Sequence, residues 1–114
     1  MPPCLLPKSP LSQVVFVNDY VQLVFQDEGF SLYNSVVIQL DAAEYEQGKT
    51  GFADALVSLI GRAVVEVGAS DEYALLLNFD NGALVQIHKG RGATGPEAFQ
   101  FNGAHGVIVV DQND

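Results

Sequence analysis

The stretch Tyr73-Ala74-Leu75-Leu76-Leu77-Asn78-Phe79-Asp80-Asn81-Gly82-Ala83-Leu84-Val85-Gln86-Ile87-His88 decides the fold class. Two apolar runs rich in β-forming residues flank Asp-Asn-Gly, residues for which the positive φ of a tight primed turn is cheap, so the segment predicts a β-hairpin. Ahead of it stands a valine run, Val64-Val65-Glu66-Val67. The same plan occurs earlier in the chain: Val14-Val15-Phe16-Val17, then Tyr20, then a run closing on Phe25-Gln26-Asp27-Glu28-Gly29. The valines, tyrosines and phenylalanines of the two segments correspond once small insertions are allowed. This predicts a duplicated antiparallel β unit, about residues 12–40 and 62–89.

Working outward, Gln13 to Val17 is almost wholly β-branched or aromatic and predicts a strand buried on both faces. Tyr20 to Phe25 is the next strand, and Phe30 to Tyr33 returns from a hairpin at Gln26 to Gly29. Val36 to Leu40 extends or follows that strand. Asp41 to Lys49 is acidic, polar and without a clean period, and is expected to be a loop. Phe52, Ala55, Leu56, Leu59 and Ile60 fall on one helical face, which predicts a helix over 51–61 with Thr50 as its N-cap and Gly61 as its left-handed stop. After the second hairpin a glycine-rich loop runs from Gly90 to Gly95, followed by a turn or short helical start at Pro96-Glu97-Ala98 and strands at 98–101 and 107–110. The predicted fold is α+β and mainly β: two antiparallel units forming a sandwich or a partly open barrel with one helix. Residues 1–10, with four of the five prolines, form an arm ahead of a single domain over 11–114.

Composition narrows the function. At 114 residues and 48% hydrophobic content the chain can bury a core without metal or disulfide. Its 14 acidic and 5 basic side chains give a net charge of −9, which argues against nucleic-acid binding and favours a cationic protein partner. A lone Cys4 allows no internal disulfide, and the proline-rich start does not read as a signal peptide, so the expected compartment is the cytoplasm, with no membrane segment.

The chemistry-bearing residues form no coherent constellation. His88 and His105, the only histidines, show no metal-binding spacing and read as surface or edge-strand residues; a metal would need carboxylates such as Asp80, Glu97 or Asp111. Cys4 and the serines lack a nucleophile's setting. No catalytic residue, metal or cofactor is therefore expected. The His88 to Gly95 run can cradle an anion or serve as a plain connection; it lacks the end of a P-loop. Three acidic segments stand out as partner-binding candidates: Asp27 and Glu28 at the first hairpin, Glu44, Tyr45 and Glu46 in the polar loop, and Asp71 and Glu72 at the turn of the second unit. Their carboxylates can steer a basic partner, and Tyr45 adds rigid amphipathic area.

Two stretches, Gly51 to Gly61 feeding a valine strand, and Phe79-Asp80-Asn81-Gly82 followed by Gly95-Pro96-Glu97-Ala98, join Tyr20 to Phe25 in resembling a class of small acidic bacterial proteins. Some members of that class are similar to immunity proteins encoded beside secreted polymorphic toxins. The resemblance covers most of residues 11–110 and rests on structural motifs. It implies a non-catalytic protein whose acidic surface covers the active site of a cognate, basic toxin. Two rival readings stay open: a homo-oligomeric assembly module joined through exposed strand edges, and a small-ligand binder with a pocket lined by Tyr20, Tyr73, Phe25 and Phe79.

Overall fold

A three-stranded antiparallel meander forms the larger part of each of two sheets, and each meander is completed by a hairpin from the other half of the chain. The structure is a computed structural model and describes residues 5–18, 20–93, 95–104 and 108–112. The first meander is β1 (Gln13–Val17), β2 (Tyr20–Phe25) and β3 (Glu28–Leu32). The chain then crosses to the second sheet for β4 (Val36–Leu40) and β5 (Ala43–Glu46), passes through the helix α1 (Phe52–Val57), and forms the second meander, β6 (Val64–Gly68), β7 (Tyr73–Phe79) and β8 (Leu84–His88). It crosses back for β9 (Glu97–Asn102) and β10 (Ile108–Gln112). The sheet orders are β1-β2-β3-β9-β10 and β5-β4-β8-β7-β6, every pairing antiparallel. The protein is a mainly β sandwich whose sheets do not close into a barrel.

The topology repeats more widely than the duplicated hairpins. β1–β5 and β6–β10 follow the same plan, a meander and then a hairpin given to the opposite sheet: β9 pairs with β3 as β4 pairs with β8. The crossover at 33–35 lies beside the described residues 89–93 of the second crossover. The Tyr33 and Asn34 amides both donate to the Ala98 carbonyl, at 2.9 and 3.2 Å, and Ser35 N donates to the Arg91 carbonyl at 3.0 Å. Asn34 is buried, and its Nδ2 donates to the His88 carbonyl at 2.8 Å, which answers the cost of sealing an amide away from water.

The inward positions of both sheets alternate with outward ones, as a pleated strand requires, and supply Leu23, Phe25, Phe30, Leu32, Ile38, Leu75, Leu77, Phe79, Val85, Ile87, Phe99 and Phe101 to one core. Helix α1 adds Phe52, Ala55 and Leu56, with Leu59 just beyond it. It packs against β4, β5 and β1, closing the side of the sandwich between two strand edges. No described helix is long and apolar enough to cross a membrane.

Several expectations need correction. β1 is an edge strand with Phe16 and Val17 exposed, since its apolar run meets a neighbour on one side only. The polar segment 41–49 contains β5, because Asp41 (φ 51°) and Ala42 (φ 66°) make a two-residue turn with both residues left-handed, the primed geometry that suits a hairpin. Asp80-Asn81-Gly82, by contrast, forms a three-residue connection in which only Gly82 is left-handed: Gly82 N bonds the Phe79 carbonyl at 3.0 Å and Phe79 N bonds the Ala83 carbonyl at 2.8 Å. The helix spans six residues, not eleven, and leaves Ile60 exposed. Its N-cap is Gly51 at φ 91°, with no side-chain cap bond, so Thr50 does not play that part. Gly61 does take a left-handed φ of 94°, and its amide donates to the Leu11 carbonyl at 2.7 Å instead of closing the helix. Glu97 belongs to a strand. The four aromatics proposed to line a pocket do not converge: Phe25 and Phe79 fill the core, while Tyr20 packs edge-on against Tyr33 on the first sheet.

Candidate functional site

The outer face of the second sheet is built by register. Glu46 lies opposite Val37 and Glu44 opposite Gln39; Val37 in turn lies opposite Gln86, and Tyr73 opposite His88. Residues two apart on a strand share a face, so Glu44 and Glu46 stand on the side that carries Val37, Gln86 and His88. Tyr45, between the two glutamates, turns the other way and packs half-buried against the core, where a Cβ on Gly51 would come within 3.0 Å of its ring.

At one end of this face Val37, Glu44, Glu46, Asp71, Glu72, Tyr73, His88, Lys89 and Arg91 line a cleft of about 420 Å³. The β6–β7 turn delivers Asp71 and Glu72. It is pinned by Ser70, whose hydroxyl accepts the Tyr73 amide at 3.1 Å and whose own amide donates to the Tyr73 carbonyl at 3.0 Å. Lys89 N donates to the Glu72 carbonyl at 3.1 Å, tying this turn to the loop after β8. That loop bends at Gly90 (φ 75°) and Gly92 (φ 72°). A Cβ at Gly92 would overlap the Ser35 hydroxyl, so the loop lies against the crossover only because this position has no side chain. The Arg91 side chain is thereby set at the cleft wall beside His88 and Lys89.

The floor is an aromatic pair. The Tyr73 and His88 rings lie 4.8 Å apart between centroids with planes at 40°, and His88 is only 7% exposed. Burial, with the Arg91 charge as a second cause, pulls the His88 pKa below the usual imidazole value; Glu72, Glu46 and Glu44 act the other way without reversing it. Tyr73 is raised above its usual value, first by burial and then by Glu72 and Glu44, with a hydrogen bond to Glu72 adding to the effect. The cleft therefore holds a neutral ring pair between a rim of four carboxylates and a smaller cationic side.

Of the residues singled out in the sequence, Glu44, Glu46, Asp71 and Glu72 come together here. Asp27 and Glu28 do not: they lie at the β2–β3 turn of the other sheet, where Glu28 Oε1 accepts the Lys8 amide at 2.7 Å. Tyr45 faces inward. His88, expected at a surface or edge, is buried on the central strand β8, and Tyr73, read as a repeat position, is half-buried in the cleft. The signal for this pair lay in the duplication. Tyr20 and Tyr73 both open the second strand of a meander, but Tyr20 meets a second phenol, Tyr33, where Tyr73 meets the imidazole of His88. His105 and Cys4 lie outside the described residues. Among those described, no group of three His, Cys, Asp or Glu side chains is placed to hold a metal ion, and Asp80 instead faces Arg62 at 3.7 Å.

No family model, curated protein or solved structure matches the chain.

Proposed function

We propose that the protein is a non-catalytic binding module whose second-sheet cleft docks a basic protein partner, acting as an immunity-type protein that covers the partner's active site. One observation carries this reading: Glu44 and Glu46 from the β4–β5 hairpin and Asp71 and Glu72 from the β6–β7 turn, distant in sequence, meet around the Tyr73–His88 pair. Such a rim attracts a cationic side chain over long range, and an aromatic face gives that cation a desolvated seat. Basic substrate grooves, as in toxins that handle nucleic acids, supply side chains of this kind. Among the described residues the lining offers no serine, threonine or cysteine nucleophile.

The test is a charge reversal. Glu44→Lys with Glu46→Lys should abolish protection in a bacterial growth assay against the cognate toxin domain and raise its Kd at least tenfold at low salt, while the Tm stays within a degree or two because both side chains are exposed. Added salt should weaken the wild-type complex. Unchanged binding at low salt rejects the cleft as the contact surface.

A further inference from the structure

The floor of the second-sheet cleft is short of hydrogen-bond donors. His88 lines the cleft and is more than nine-tenths buried, and neither of its ring nitrogens has a hydrogen-bond partner among the described residues. A neutral imidazole carries one N–H and one bare nitrogen, so an acceptor stands there without a donor. Burial and the Arg91 charge, which hold the ring neutral, keep that nitrogen bare near pH 7. Gln86, two residues back along β8 and on the same face, is also buried, and its Oε1 is sealed without a partner among the described residues. The phenol beside them is committed, because Tyr73 bonds Glu72. Around this floor the four carboxylates stand against two cations, Lys89 and Arg91, which leaves the lining a net charge of −2. Neither cation pairs with the rim within 4 Å among the described residues, and the nearest ion pair is that of Glu46 with Lys49 outside the cleft.

We propose that the cleft is a guanidinium seat: an arginine side chain of the docked partner stacks on the Tyr73–His88 pair and directs one N–H at the bare nitrogen of His88. The assignment rests on the docking reading and adds to it the kind of cation. Three properties separate arginine from lysine here. A guanidinium is planar, so it lies flat on an aromatic floor, and it is more weakly hydrated than an ammonium. It also presents five donors in a fixed fork, so one can reach the imidazole while others face the carboxylates. An ammonium is a compact, strongly hydrated charge that serves the rim and leaves the His88 nitrogen unanswered, and an acceptor covered without a bond is costly. Arg91 opposes the occupant, since its charge belongs to the same lining. That opposition separates this seat from an anion cradle in the glycine-rich loop: removing the Arg91 charge strengthens the hold on a cation and weakens the hold on an anion.

Two small probes test this on the full chain, N-acetyl-arginine methylamide and N-acetyl-lysine methylamide, titrated at about pH 7.5 while the NMR signals of Tyr73 and His88 are followed. The arginine probe should bind about tenfold more tightly, the worth of one hydrogen bond to an acceptor otherwise left unmade. His88→Phe keeps a ring in the floor and removes the acceptor; checked for folding by circular dichroism, it should bring the arginine probe down to the lysine level. Arg91→Gln should tighten both probes about threefold. Equal affinities, with both probes shifting Tyr73 and His88, overturn the guanidinium assignment and leave cation docking standing. No shift with either probe at about 50 mM also overturns it, and the docking reading is then decided by the charge reversal alone. A preference that survives in His88→Phe, or weaker arginine binding in Arg91→Gln, overturns it as well.

Discussion

Phe25 and Phe79 hold equivalent places in the two halves of the chain, each the last residue of the middle strand of its meander, and their rings stack across the core with centroids 6.5 Å apart and planes 28° apart. The contact joins the two sheets directly. Phe25→Ala and Phe79→Ala should each lower stability by about 3–5 kcal/mol, the usual cost of emptying a buried aromatic site. Substitution of both by leucine, in a double-mutant cycle read by urea unfolding, should give a coupling of about 0.5–1.5 kcal/mol. Additive leucine variants would mean that the stack contributes only its buried area.

The β4–β5 turn is expected to be a site of relievable strain. Ala42 sits at φ 66°, a left-handed conformation that costs a non-glycine residue roughly 1–2 kcal/mol. Ala42→Gly removes that cost but loosens the unfolded chain, so the net gain should be up to about 1 kcal/mol, seen as a higher Tm. A lower Tm would mean that the turn relaxes to another geometry in solution.

Gly92 and Gly48 separate strain from space. Both have positive φ, 72° and 87°, but a Cβ at Gly48 would meet nothing within 4 Å whereas one at Gly92 would meet Ser35. Gly48→Ala should cost about 1–2 kcal/mol from backbone strain alone. Gly92→Ala should cost more and should also shift the NMR signals of His88 and Tyr73, because the loop must leave the crossover. Equal costs for the two variants would mean that the Ser35 contact is unimportant.

His88 should give the protein a pH dependence of defined sign. Its folded pKa lies below the usual 6.5, so as pH falls through 6.5 the unfolded chain takes up a proton before the folded one does. Stability is therefore lost from pH 6.5 downward until the folded imidazole also protonates. Tyr73, raised above the usual 10.0, gives the opposite flank: stability falls as pH rises past 10, where the unfolded phenol ionises first. His88→Gln should flatten the acid flank in urea-unfolding free energies measured between about pH 5 and 7. An unchanged slope in that variant would assign the acid flank to the carboxylates.

Strand positions were largely legible because local pattern governs them: Tyr73–Phe79 and Tyr20–Phe25 are the strands that alternation and turn residues predict. Burial was less so. Gln13 to Val17 reads as a central strand because β-branched residues favour any pleated surface, and no local signal tells an edge from a centre. β5 was missed since Glu44 and Glu46 suit an exposed edge, where polarity is protective, and since its turn uses Asp-Ala in place of a glycine pair. The acidic candidates were readable as three separate segments. That two of them share a cleft with His88 depends on β4 pairing with β8, which joins two hairpins far apart in sequence.

The exchange of hairpins between sheets constrains how the chain can be made. During synthesis β4 emerges with β5 as its only neighbour, and its other edge stays open until residues 84–88 have left the ribosome; β3 likewise waits for β9. Neither half is a finished sandwich. Fragments cut between β5 and α1 should each be incomplete alone and should reconstitute the fold when mixed, like two clasped hands.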